Sequence, residues 1–139
     1  IGLGAALCGA LGLPVALVTG DVAACLEAES LLPGVVTCPV KEGHGRFSAR
    51  VLTPEVTAER RAQATRDALA RFREGALLPW CPESPYELEI TFSRTSQCDG
   101  ASLAPLFHRV GGRTLRVEHE DYLEIHRAFL AAVDLAAAV

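Results

Sequence analysis

The chain has 139 residues, enough for about one domain that buries roughly two-thirds of its unfolded surface. Half of the residues are apolar and 22% are charged, a composition that excludes a disordered polar chain. The net charge of −4, with arginines spread along the chain, argues against a nucleic-acid-binding surface. Five cysteines without a C-x-x-C pair indicate neither a disulfide framework nor a thiolate zinc site, and they favour a cytoplasmic protein.

The first 18 residues are apolar, but Pro14 divides them and four glycines dilute them, which argues against a signal peptide or a membrane span. Leucines at helical spacing predict a helix that stops at Gly12. Small residues on this helix, Gly9 among them, leave room for close contact with another backbone. Because the chain contains no methionine, we expect Ile1 to be an interior residue of a longer protein.

The next three segments predict a strand, a helix and a second strand. Residues 14–20 form a continuous apolar run, which is typical of a strand buried on both faces by helices. Asp21 is a good cap for the following helix, which ends before Pro33-Gly34. A second apolar strand follows over residues 35–40. The order of helix, strand, helix and strand predicts a parallel α/β unit.

A long helix begins at Thr53, with a proline and an acid in its first turn. A proline-rich break over residues 74–85 follows it and marks a subdomain boundary. We therefore divide the chain into residues 1–78 and 79–139. This helix is expected to pack through its apolar stripe, which consists of Ala62, Thr65, Leu69 and Phe72.

The last third has a different pattern. Residues 86–93 alternate between apolar and polar side chains, as do residues 113–120, so both segments predict strands with one packed face. Ser96 opens a short helix between them, and Asp121 opens the terminal helix. The predicted fold is therefore α/β: a parallel α/β half-domain followed by a smaller α+β subdomain of strand, helix, strand and helix.

The stretch "VKEGHGR" carries most of the reactive chemistry and lies at the carboxyl end of a predicted parallel strand, where open α/β sheets bind ligands. Lys41 is the only lysine in the chain, so it is the only tunable amine among the side chains. We take Lys41 as the candidate catalytic residue, and Glu42, His44 and Arg46 as candidates for substrate contact or the site edge. The alternative is that Lys41 and Arg46 pair with carboxylates across a subunit or domain contact.

Other motifs give no specific signal. The glycines of "GLGAALCG" are spaced like a dinucleotide fingerprint, but the strand follows them instead of preceding them. The four histidines show no H-x-x-x-H or H-E-x-x-H spacing, and there is no G-x-S-x-G or P-loop. We therefore assign no metal ligand within the chain.

Four stretches, "IGLGAALCGALGLPVALVTGD", "LPGVVTCPVKEGHGRFSARVLTP", "EITF" and "RVEHEDYLEIHRAFLAA", together resemble the C-terminal half of the D-aminopeptidase family over essentially the whole chain. That resemblance implies a zinc-dependent enzyme with two metal ions that hydrolyses the N-terminal residue from short peptides containing D-amino acids. It also implies a homo-oligomer. The charge distribution and the interrupted apolar segment described above predict no nucleic-acid or membrane partner.

In this family the metal ligands precede the segment that matches Ile1. The resemblance therefore implies that zinc is held outside this chain, that the missing N-terminal half of the same protein is its partner, and that the fragment alone is inactive. Lys41 and Arg46 match the family pattern, whereas Gly4 and Val22 stand where the family commonly has asparagine and a second acid. The alternative function is a noncatalytic oligomerising or small-ligand-binding α/β module.

Overall fold

The computed structural model describes residues 1–139, which form two compact units, Ile1–Cys81 and Pro82–Val139. The predicted division after residue 78 and this division after residue 81 both fall in the proline-rich segment. The mixed α/β class is confirmed, with five helices and two small sheets. None of the helices combines the length and the apolar character that a membrane crossing requires.

The first unit is a three-stranded sheet with three helices. Its elements are α1 (Gly2–Ala10), β1 (Leu17–Asp21), α2 (Val22–Leu31), β2 (Val36–Gly45), β3 (Ser48–Val51) and α3 (Pro54–Arg73). The sheet order is β1-β2-β3, in which β1 and β2 are parallel and β3 is antiparallel to β2. The predicted parallel unit is confirmed, but β2 continues five residues past its predicted end at residue 40 and forms a hairpin with β3.

The prediction that the first strand is buried on both faces was wrong. No residue of β1 is fully buried, and Thr19 is exposed. The reason is that β1 lies at the edge of its sheet, with a hydrogen-bonded neighbour on one side only. The apolar run predicts that a strand forms, but it does not indicate where that strand lies in the sheet.

The prediction of the packed face of α3 was also wrong. The helix buries Ala64 and Ala68 against the unit, whereas Leu69 and Phe72 remain 47% and 53% exposed. Alanine has no side chain beyond Cβ, so a helix that packs through alanines approaches a sheet closely while its large residues lie to the side. Arg71 fixes this orientation, since its guanidinium donates to the Gly34 carbonyl at 2.7 Å.

The second unit is an antiparallel sheet covered by two helices. Its elements are β4 (Tyr86–Thr91), α4 (Thr95–Ala101), β5 (His108–Gly111), β6 (Thr114–His119) and α5 (Tyr122–Ala137), with strand order β4-β6-β5. The predicted order of strand, helix, strand and helix therefore lacked β5. All four residues of β5 are exposed, so the strand carries no alternation of buried and exposed residues that a sequence pattern would reveal.

The core of the second unit lies between the central strand and the helices. Leu115 and Val117 of β6 and Ile125 of α5 are almost completely inaccessible. Alanines and Cys98 fill the space where α4 meets α5. A Cβ at Gly100 would lie 2.8 Å from the Leu135 carbonyl oxygen, which shows how closely these two helices approach.

The buried thiol of Cys25 gives the first unit a testable response to pH. Burial raises the pKa of this thiol, with Cys38 as a neighbour. Because the pKa of the thiol is higher in the folded state, the folded protein binds this proton more tightly than the unfolded chain does. The resulting stabilisation is fully present below the pKa of an unfolded thiol, about 8.5, and is lost as the pH rises through the folded value. Between pH 8 and 10 we expect the free energy of unfolding in urea to fall more steeply for the wild type than for Cys25→Ala. Parallel curves for the two proteins would contradict this assignment.

Candidate functional site

The candidate site begins where the parallel pairing of β1 and β2 ends. The last pair in this register joins Asp21 and Lys41, after an irregularity between Gly20 and Asp21. Asp21 also caps α2, because its side chain accepts from the Ala23 N–H at 2.9 Å. Lys41 is thus anchored at the carboxyl edge of the parallel strands, the place where ligands bind in open α/β sheets.

Gly43 allows the Asp21 carboxylate to lie against β2. A Cβ on Gly43 would be 3.2 Å from Asp21 Oδ2, which is closer than side chains normally approach. The Asp21 carboxylate therefore lies near the backbone just after Lys41. Sequence reasoning assigned Asp21 only a capping role and missed this second position.

The hairpin of β2 and β3 sets which side chains neighbour each other beyond Lys41. Lys41 lies opposite Val51, and Glu42 lies opposite Arg50. Every residue from 41 to 51 is exposed. The hairpin therefore presents its polar side chains to solvent.

A groove of about 220 Å³ opens beside this hairpin and reaches α3. Lys41, Glu42, Arg50 and Arg60 are its charged lining residues. The remaining lining residues are Val22, Pro39, Val40, Val51 and Leu52. The groove thus combines three cations and one carboxylate with mostly apolar walls.

Two of the four candidates from the sequence, Lys41 and Glu42, line this groove, and the other two do not. His44 lies further along β2, and Arg46 lies at the turn of the hairpin. The Arg46 guanidinium stands 5.5 Å from the ring centroid of Phe47, a side chain that is 93% exposed. The roles of all four residues remain predictions.

The groove also contains two residues that sequence reasoning missed, Arg50 and Arg60. Arg50 is brought in by the hairpin, which the two glycines flanking His44 signal only weakly. Arg60 comes from α3, and its position depends on which face of that helix packs on the sheet. No local pattern reports the packed face when that face is made of alanines.

Comparison with known proteins places this architecture in a family. The family model described as D-aminopeptidase, peptidase family M55, matches residues 1–131. The chain belongs to the D-aminopeptidase family. It is 31% identical over 137 residues to a D-aminopeptidase of Bacillus subtilis (strain 168), an alignment that covers 98% of this chain and 49% of that protein.

The fold also matches a solved structure of the D-aminopeptidase family. The chain superposes on the Zn-dependent D-aminopeptidase DppA from Bacillus subtilis, a self-compartmentalizing protease, with a TM-score of 0.85 and 31% identity. The match covers 99% of this chain and 50% of that one. The chain therefore spans about half the length of the D-aminopeptidases that it matches.

The residues of this chain do not fit a zinc site like the one implied for a Zn-dependent D-aminopeptidase. No three histidine, cysteine, aspartate or glutamate side chains are grouped so that they would hold a metal ion. His119 is engaged locally, because its Nδ1 accepts from the Asp121 N–H at 2.9 Å. The His126 ring stacks on Tyr122 and contacts Phe129. We therefore derive no chemical step through zinc from these residues.

Proposed function

We propose that this chain is part of a zinc-dependent D-aminopeptidase that hydrolyses the N-terminal residue from short peptides containing D-amino acids. The observation that carries the proposal is the match to the Zn-dependent D-aminopeptidase fold over 99% of the chain. The groove at the carboxyl edge of β1 and β2 brings charged side chains together at a concave surface of the first unit.

The rest of the catalytic apparatus belongs, in this proposal, to parts of the enzyme outside residues 1–139. In this proposal the complete enzyme holds two zinc ions, and their ligands are among these parts. The first unit contributes to the metallopeptidase domain, and the second unit is an accessory α+β subdomain. We further propose a homo-oligomer in the cytoplasm, a location that five cysteines without a disulfide support.

Lys41 is the residue of this chain to which we assign a part in the reaction. Hydrolysis adds water across the peptide bond, so the carbonyl oxygen gains negative charge in the transition state. The Lys41 ammonium is a compact charge with three donors, and it forms no ion pair with a carboxylate of the chain. We assign it to stabilising that oxygen at the edge of the site. Glu42, on the next position of β2, is assigned to substrate contact, and His44 and Arg46 to the outer edge of the site.

The full-length protein, loaded with zinc, tests the proposal. We expect it to release D-alanine from D-alanyl-D-alanine at least about tenfold faster than it releases L-alanine from L-alanyl-L-alanine, a difference of about 1.4 kcal/mol in the barrier. Removing the metal with a chelator should abolish the activity, and added zinc should restore it. The absence of hydrolysis of any short peptide by folded, zinc-loaded protein would instead favour a noncatalytic module.

A further inference from the structure

The groove beside Lys41 carries positive charge that the chain itself does not neutralise. Arg50 lies opposite Glu42 in the hairpin register, yet the two side chains form no ion pair. Arg60 also has no carboxylate partner. By contrast, Arg116 in the second unit pairs with Glu89 at 2.8 Å. Two guanidinium groups in the groove are therefore available to an anion from outside.

The two arginines reach the groove from different elements. Arg50 is on β3 and Arg60 is on α3, so the groove is formed by tertiary packing and is not a run of basic residues in the sequence. The planar guanidinium fork matches a carboxylate, to which it donates two parallel hydrogen bonds. Apolar residues, among them Val51 and Leu52, line the rest of the groove.

The size of the groove limits what this anion is attached to. At about 220 Å³ it lies below the usual range of about 300–1,000 Å³ for sites that take drug-sized ligands. The groove therefore suits a small anionic group, such as a carboxylate, better than a large ligand.

We propose that Arg50 and Arg60 bind the C-terminal carboxylate of the peptide substrate, and thereby select peptides with a free carboxyl end. The inference rests on the proposed function, because it needs the peptide substrate to reach this groove. It adds to that function a subsite for the free carboxyl end. The arginines act by binding and positioning, and they carry no step of bond cleavage.

The test compares D-alanyl-D-alanine with its C-terminal amide in the full-length, zinc-loaded protein. We expect kcat/KM to be at least about tenfold higher for the free acid in the wild type. Arg50→Gln and Arg60→Gln should each raise KM far more for the acid than for the amide, so that the preference falls towards one. Arg61→Gln is the matched control, because Arg61 neighbours Arg60 on α3, is exposed and does not line the groove. It should keep the full preference.

The outcomes separate this inference from the proposed function. Equal kcat/KM for acid and amide in an active wild type overturns the carboxylate subsite and leaves the peptidase intact. If neither peptide is hydrolysed, the proposed function fails. Titration calorimetry with the same two peptides then decides whether the groove binds a carboxylate. Binding of the acid but not the amide, lost in Arg60→Gln, then supports a carboxylate site, whereas equal or absent binding overturns it. Arg60→Lys, which keeps the charge but not the fork, should show an intermediate preference.

Discussion

Replacing Lys41 with alanine in the full-length protein is expected to lower kcat by at least about a hundredfold, the effect of removing one donor to a developing oxyanion. KM should change much less, because the charge that Lys41 stabilises exists only in the transition state. Lys41→Arg should restore little of the rate. A planar guanidinium does not occupy the same point as an ammonium, and its charge is spread over three nitrogens. Steady-state kinetics on the three proteins measures these changes.

A purely structural role for Lys41 makes the opposite prediction. If Lys41 pairs with a carboxylate across a subunit or domain contact, Lys41→Ala should lower the melting temperature while the folded enzyme keeps its turnover. Lys41→Arg should then largely restore stability, since arginine also forms ion pairs. Near-normal kcat in the alanine variant would end the catalytic assignment. Melting temperatures measured on the same three proteins distinguish the two roles.

Gly9→Ala is expected to destabilise the fold by about 3 kcal/mol, the upper part of the range for overpacking a tightly packed site. A Cβ at this position would lie 1.9 Å from the Trp80 carbonyl oxygen and 2.4 Å from the Trp80 carbonyl carbon. Both atoms belong to the backbone, so the clash is relieved only by moving α1 or the segment that contains Trp80. Urea unfolding measures the loss.

Gly4→Ala is the matched control for this prediction, because Gly4 lies in the same helix. A Cβ there would have no neighbour within 4 Å. Alanine is favoured over glycine in helices by roughly 1 kcal/mol, so Gly4→Ala should leave stability unchanged or raise it. Equal effects of the two substitutions would mean that α1 does not approach Trp80 as described. The expectation that small residues on this helix allow close backbone contact is confirmed at Gly9.

The elements whose boundaries depend on local chemistry were predictable from the sequence. Asp21 and Thr53 cap helices as expected, and their side chains accept backbone N–H groups of Ala23 and Val56. Lys41 was placed correctly at the end of the parallel pairing because an apolar strand that meets a polar run shows where a sheet edge lies.

The features that depend on tertiary packing were not predictable in the same way. Leu69 and Phe72 are the more apolar residues of α3, yet Ala64 and Ala68 form its packed face. That orientation in turn brings Arg60 to the groove. The strand β5 was missed because none of its residues is buried, so it has no hydrophobic signal. Hydrophobic patterns in a sequence predict which residues are buried. The packed face of α3 and the strand β5 were both missed because burial there does not follow hydrophobicity.

The ten residues of β2 serve two purposes, since the strand both pairs with β1 and carries residues of the groove. This limits which changes in the length of the strand the groove can tolerate. Its first half pairs in parallel with β1 through buried Cys38, and its second half carries Lys41 and Glu42, which border the groove from consecutive positions. Successive side chains of a strand point to opposite faces, so inserting or deleting one residue between Cys38 and Lys41 would exchange the positions of Lys41 and Glu42 relative to the sheet. The groove can therefore be altered by substitution at these positions, whereas a change in the number of residues would alter which face each side chain occupies.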